Sequence, residues 1–338
     1  MNKITTIGLD LAKNQFHVVG CDARGKVVEK KMLKRPKVLE YFANLPKCLV
    51  AMEACASAHH WARQLIAQGH QVRLIPPQYV KPYVRGNKND YNDALAITEA
   101  ALCPQMRFVA VKTTEQQDIQ ALHRLRERCL ADRTALCNQL RGLLAEYGVI
   151  LPKGVNNLRR RLPALLEDAE NGLSDLFRRL AVQGYHQLQA LDGQIDGYTR
   201  EMARQSQHSD ACRRLQTIPG YGPIVAGVFH SVIGQGKAYR RGRDVSAAVG
   251  LVPKQHSSGG KVVLLGISKR GDRYLRSLLV HGARSVVIQA AKKEDRLSRW
   301  INQIRADRGF NKAVVALANK MARIGWAVLV NNTVYQAA

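Results

Sequence analysis

A chain of 338 residues has room for two or three domains, and its 46% hydrophobic content, arranged in periodic segments, excludes a disordered polymer. Fifty-two Lys and Arg against 26 Asp and Glu give a formal charge of +26, the balance of a protein that neutralises phosphates, so nucleic acid is the expected partner. Seven scattered cysteines with no CxxC pair exclude a disulfide framework and a thiolate zinc site.

Residues 5–20 read as the first strand, an apolar stretch interrupted by one acid, Asp10, and a buried carboxylate there wants a cation. The turn residues Asp22-Ala23-Arg24-Gly25 predict a hairpin in which 26–33 returns. Helical spacing follows over 37–44, then a short buried strand over 48–53 that ends in Glu53. A helix over 58–68 stops at Gly69, and a strand over 71–75 is ended by Pro76-Pro77. The next helix opens with Asp90 and Asp93, whose spacing of three puts both carboxylates on one face. A hairpin entry followed by βαβ units, with an acid on the first strand, is the order of an α/β domain of the RNase H type. Asp10, Glu53, Asp90 and Asp93 meeting at one point would repel one another unless divalent ions sat between them, which predicts a Mg²⁺ site.

From 113 to 208 the pattern becomes long helix. Thr113 or Thr114 with Gln116 or Gln117 offers a capping box, and Ile119, Leu122, Leu125, Cys129, Leu136, Leu140, Leu143 and Leu144 form an apolar stripe. Gly148 and Pro152 end that helix. A second, over 173–203, repeats the stripe, and the basic segment Arg159-Arg160-Arg161 reads as the connecting loop of an antiparallel hairpin or coiled-coil arm for oligomerisation. Residues 111–210 carry 14 basic and 13 acidic side chains, so this arm is not the phosphate surface.

That role falls to residues 211–338, with 22 basic against 5 acidic side chains. The stretch Ile218-Pro219-Gly220-Tyr221-Gly222-Pro223 predicts a helix-hairpin-helix turn, where Gly220 and Gly222 would let backbone N–H groups approach a phosphate. Ser257-Ser258-Gly259-Gly260 follows, flanked by Lys254, His256 and Lys261. It reads either as a flexible linker or as a mobile hydroxyl among cations, an environment that suits a nucleophile attacking a phosphodiester. Lys269 and Arg270, and then Arg273, Arg276, Arg284 and His281 on a helix over 273–290, are placed on phosphates.

Five segments together carry a resemblance. The strand with Asp10, Met52-Glu53-Ala54, Lys88-Asn89-Asp90-Tyr91-Asn92-Asp93-Ala94, the 218–223 turn and the 257–272 region resemble, in order and over essentially the whole chain, the DEDD transposases of bacterial insertion sequences. That family is related to the invertase Piv and includes bridge-RNA-guided and seeker-RNA-guided recombinases. The resemblance implies a RuvC-like domain over 1–112 with Asp10, Glu53, Asp90 and Asp93 as its metal-binding quartet, a coiled-coil region over 113–208, and a basic transposase domain over 209–338. It implies a catalytic serine before a glycine, which is Ser258, with the adjacent Ser257 as the other reading. The implied reaction is DNA recombination through a phosphoserine–DNA link, with donor and target DNA chosen by a noncoding guide RNA, carried out by a dimer to tetramer in which serine and quartet come from different subunits. A bacterial cytoplasmic protein with no membrane span is expected, since Lys320 and Arg323 interrupt the apolar stretch 313–330 and no basic region leads into an apolar one at the start.

Two alternatives stand beside this. A RuvC-like junction nuclease would use the quartet to activate water and would not need Ser258. A noncatalytic nucleic-acid-binding protein would need neither.

Overall fold

The computed structural model describes residues 3–87 and 89–337, so Lys88, the first residue of the 88–94 motif, lies outside the described residues. The chain forms two compact units, Met1–Glu115 and Gln116–Ala338.

The first unit runs β1 (Thr6–Leu11), β2 (Gln15–Cys21), β3 (Val27–Lys34), α1 (Val38–Ala43), β4 (Leu49–Glu53), α2 (Ala58–Ala67), β5 (Gln71–Ile75), α3 (Pro77–Val80) and α4 (Asp90–Leu102). Residues 5–20 are thus two strands and not one. The chain reverses over 12–14, so that Leu11 pairs with Phe16 and Asp10 with His17. The apolar alternation of both strands masks the break; the exposed pair Lys13-Asn14 is what makes the turn. The sheet has the order β3-β2-β1-β4-β5, antiparallel through the first three strands and parallel from β1 to β4 and β5.

Alternation on β1 divides the unit into two layers. Ile7 and Leu9 join Phe16, Val18, Val50 and Met52 on the face covered by Val38 and Phe42 of α1 and by Trp61 and Leu65 of α2. Gly8 faces the other way, towards α4. A Cβ at Gly8 would lie 2.0 Å from the Ala94 carbonyl oxygen and 2.2 Å from Thr98 Oγ1, so the helix rests directly on the strand backbone. Around that contact Val19 and Cys21 pack on Ala94, and Ala51 and Ile75 pack on Ile97 and Ala100.

The second unit contains α5 (Thr114–Ala145), α6 (Val155–Glu167), α7 (Asp175–His208), α8 (Asp210–Leu215), α9 (Pro223–Ile233), α10 (Gly242–Ala248), β6 (Pro253–Gln255), β7 (Leu264–Ile267), α11 (Arg273–Ala290), α12 (Arg296–Arg308) and α13 (Phe310–Asn331). α5 and α7 run antiparallel: Arg126 Nε donates to Thr199 Oγ1 at 2.8 Å, and Arg133 meets Asp192 at 3.0 Å. The arginines at 159–161 are helical, not a loop. Leu158 and Leu162, one turn apart on α6, are fully buried beside Leu140, Leu144 and Phe177, while Arg159 reaches Asp192. Pro163 and the charge run hide that helix in the sequence.

The core of this unit gathers round α13, whose Leu317, Ala318, Met321 and Ala322 are buried with Phe229, Val245, Leu275 and Leu279. Among the described residues α13 is the one helix long and apolar enough to cross a membrane, and half of its apolar window is covered by the rest of the unit. Residues 257–260 are not a linker: β6 and β7 pair as an antiparallel hairpin, and the Lys261 N–H donates to the Ser258 carbonyl at 3.0 Å to close its tip.

Replacing Gly8 with Val should push α4 off β1, lowering stability by about 1–3 kcal/mol or more through overpacking against backbone. Thermal unfolding checks this; a Gly8→Val protein as stable as the parent would show that the close approach is dispensable.

Candidate metal centre and nucleic-acid interface

Three elements of the first unit carry the four acids, and among the described residues the group whose ligand atoms approach closely enough to share a cation takes in Asp10 and Asp90, with His17, but not Glu53 or Asp93. β1 and β4 are parallel neighbours in the register Leu9 to Met52, so the next residues along, Asp10 and Glu53, emerge at the same end of the sheet. Asp90 and Asp93 occupy the first turn of α4, which Asn89 caps by accepting the Tyr91 N–H at 2.9 Å. A helix N-terminus favours these carboxylates by its own dipole.

The acids also act on one another electrostatically. Burial first, and then the Asp93 and Asp90 charges, hold the Asp10 carboxyl above its usual range, against a smaller opposing pull from His17 and the Leu11 N–H. Glu53 is raised by burial, then by Asp10 and Asp93. Each acid therefore stands in the field of others, which is the situation that a bound cation relieves.

His17 joins them. One ligand atom each from Asp10, His17 and Asp90 lie within 4.8 Å of one another. Among the described residues His17 Nδ1 is buried without a hydrogen bond, 3.5 Å from Asp90 Oδ2, and its ring meets Tyr91 edge-on at 4.9 Å between centroids. Motif spacing could not find this residue. The signal lies in the strand register, because only a turn at 12–14 makes His17 the cross-strand partner of Asp10. Carboxylates dominate the donor set, so the residues fit a hard divalent cation.

In the second unit the hairpin separates its two serines. Ser257 Oγ accepts from Gln255 Nε2 at 3.1 Å and from the Val263 N–H at 3.3 Å, so it is built into the hairpin. Ser258 is exposed, and its hydroxyl makes no hydrogen bond among the described residues. Lys254 and Lys261 stand exposed on the same hairpin, whose base is tied down where Ser268 N donates to Val252 O at 2.8 Å and Lys269 N to Gly250 O at 3.1 Å. Lys269, Arg270 and Arg273 are exposed beyond it.

Two sequence-predicted phosphate contacts have structural duties. Arg276 donates to the carbonyls of Val249 and Arg270, at 2.9 and 3.0 Å. Gly220, at φ +88°, packs against Gly282 of α11, where a Cβ would sit 2.9 Å from the Gly282 oxygen. Gly222, the N-cap of α9, is exposed with open space round it.

Comparison with known sequences bears on both regions. Residues 7–149 match the DEDD transposase family of the IS110 type, and residues 212–298 match the transposase IS116/IS110/IS902 family. The chain is 47% identical to a "Probable family 20 transposase" of Pseudomonas aeruginosa, over 98% of this chain and 99% of the relative. It is 44% identical to the "Transposase for insertion sequence element IS1111A" of Coxiella burnetii, over 99% and 92%. With the "Transposase for insertion sequence element IS1328" of Yersinia enterocolitica it shares 41% identity over 99% of both chains. A DEDD domain implies a divalent metal, and the acidic cluster supplies ligands for one.

Because Asp10 and Glu53 are raised in the folded state, the fold holds protons there that the unfolded chain releases, so ionising them costs stability as pH rises above the ordinary carboxylate range. A divalent cation removes that cost. Its stabilisation of the thermal midpoint should therefore grow as pH rises above the ordinary carboxylate range, and shrink in Asp10→Asn. A gain independent of pH and of Asp10 would place the cation elsewhere.

Proposed function

Since this chain belongs to the IS116/IS110/IS902 family of insertion-sequence transposases, we propose that it recombines DNA with Ser258 as nucleophile and Mg²⁺ held by Asp10, Glu53, Asp90 and Asp93. The observation that carries the serine assignment is the contrast within the hairpin: Ser257 Oγ is engaged by Gln255 and Val263, whereas the exposed Ser258 hydroxyl is unbonded. The sheet order β3-β2-β1-β4-β5, with acids on β1 and β4 and on the helix packed over them, supports a RuvC-like reading of the first unit.

Ser258 Oγ attacks the phosphorus of a DNA strand and gives up its proton; a deoxyribose oxygen leaves with the bonding electrons and takes up a proton. The phosphodiester is exchanged for a phosphoserine of similar energy, so the reverse attack by a strand-end hydroxyl reseals the backbone without ATP. Lys254 and Lys261 favour the serine alkoxide and the charge building on the phosphate, and Lys269, Arg270 and Arg273 bind neighbouring phosphates, with Gly222 presenting backbone N–H groups at the start of α9. Arg276 acts through the carbonyls it holds, and Gly220 through the packing that sets the turn. When bound, the divalent cation neutralises and polarises a phosphate oxygen. Asp10, Glu53, Asp90 and Asp93 hold it, and the buried His17 nitrogen orients Asp90.

The reading extends to partners. Leu143, Tyr147 and Ile150 on and just beyond α5, and Leu176 and Leu180 on α7, stand in solvent on the arm, an apolar surface suited to a second copy in a homo-oligomer. The excess of 22 basic over 5 acidic side chains in 211–338 supports binding of donor and target DNA, and of a noncoding guide RNA encoded beside the gene.

Ser258→Ala should abolish a covalent protein–DNA adduct on branched or nicked substrate, detected by denaturing gel, while binding survives. Cleavage that persists in Ser258→Ala without any adduct would favour the junction nuclease, and an adduct surviving in both Ser257→Ala and Ser258→Ala would remove the serine assignment. Protein purified after expression with its native flanking DNA should carry one discrete flank-encoded RNA on sequencing; bulk cellular RNA alone would count against guidance.

A further inference from the structure

The second unit holds a cluster of guanidinium groups that the reaction above leaves unused. A cleft of about 320 Å³ is lined by Arg241, Gly242, Arg243, Arg323, Trp326 and Ala327. Its walls are the start of α10 and the last turns of α13, which Ser246 clamps together by donating to the Asn319 carbonyl at 3.1 Å. The cleft includes none of the hairpin cations, so it is a separate surface.

Its charge is poorly matched within the unit. Asp244 lies 3.6 Å from Arg241, but Arg243 and Arg323 have no acidic partner among the described residues. Lys320, one turn before Arg323 on α13, has its ammonium pulled below the usual range by burial and then by Arg296 and Arg323. Unpaired guanidinium groups in a concave site select a planar or tetrahedral oxyanion, and phosphate is the one that a nucleic-acid-binding unit meets.

The remaining wall is aromatic. Trp326 Nε1 donates to the Gly236 carbonyl at 3.1 Å, so the half-buried indole is already fixed and loses little freedom when a flat ligand stacks on it. The volume lies at the small end of the ~300–1,000 Å³ typical of ligand clefts, room for about one nucleotide. A base inside a duplex presents no free face to such a wall, whereas an unpaired base does.

We propose that this cleft is a single-nucleotide site for an unpaired nucleic-acid strand, in which Arg243 and Arg323 take the backbone phosphate and Trp326 stacks the base. The inference rests on reading the basic unit as nucleic-acid-binding, and adds to it a site that recognises a single-stranded segment. Whether that strand is DNA or RNA is a question of source, since phosphate and base are common to both.

The test uses the full-length protein with matched single-stranded deoxyribo- and ribo-oligonucleotides carrying 5-iodouracil, and a duplex as control. Photocrosslinks should map to the peptide containing Trp326, and the stronger of the two arms identifies the source. The double variant Arg243→Ala/Arg323→Ala should bind the single strand more weakly, with a salt slope flatter by about 0.7 for each phosphate no longer neutralised, and bind duplex as before. Trp326→Ala should lose about fivefold or more in single-strand affinity, and Trp326→Phe should recover most of it, with the thermal midpoints of all variants reporting that they fold. Crosslinks confined to other peptides, or single-strand affinity unchanged in the variants, would overturn the cleft while leaving the basic surface in place. Failure of the parent protein to bind any of the three probes would overturn both.

Discussion

Like charge held at close range is the constraint on which the first unit depends. Asp10 and Glu53 are each raised by burial and by the neighbouring acids, so the fold places these carboxylates where ionisation is disfavoured relative to water. Such an arrangement persists only if something else fixes it. What fixes it is backbone: parallel pairing of β1 with β4 sets two of the acids side by side, and the seating of α4 on Gly8 brings up the other two. The apolar layers on both faces of the sheet offset the electrostatic cost, so the acids are placed by the fold and do not depend on a cation to bring them near one another.

His17 illustrates how such a centre reaches beyond its motif. A buried imidazole nitrogen with no hydrogen bond, 3.5 Å from a carboxylate oxygen, is costly unless its partner gains from it. Its gain is orientation. With Tyr91 against the ring and Asp90 beside the nitrogen, the first turn of α4 is braced from the strand below it, so the carboxylate most exposed to solvent is not left to wander among rotamers.

Much of this was legible in the sequence, and the gaps have physical causes. β4, β5, α2 and α11 followed from short apolar runs and helical spacing, with Gly69 and Pro76-Pro77 as stops, because local signals and tertiary packing agree there. The four acids stood out as candidates because Asp10 and Glu53 interrupt or end apolar runs and Asp90 and Asp93 open one helix at a spacing of three. The turn at 12–14 was not, since two apolar strands of matching alternation read as one, and with it went His17. α6 was lost because Pro163 and three arginines are local signals against a helix, overridden by the burial of Leu158 and Leu162. The Ser-Gly stretch reads as a linker by composition; only pairing between β6 and β7, a nonlocal fact, makes it a hairpin with two chemically unequal serines.

Net charge is likewise a poor guide to which cations face a ligand. Arg133 and Arg159 share Asp192, Arg276 holds two carbonyls, and Arg284 and Arg305 lie over the Phe310 ring, so these guanidinium groups serve the fold. A planar group with five donors is suited to that work. Among the remaining cations, two sets have no acidic partner among the described residues and share a surface feature: Lys254, Lys261, Lys269, Arg270 and Arg273 on and beyond the hairpin, and Arg243 with Arg323 in the cleft beside Trp326. The first set includes Lys254 and Lys261 on the hairpin that carries Ser258, with the others at and beyond its base, and the second lies beside a fixed aromatic wall. Phosphates are attracted to both; in the proposed reaction the first set would serve bond exchange, and in the proposed cleft the second would read whether a base is paired.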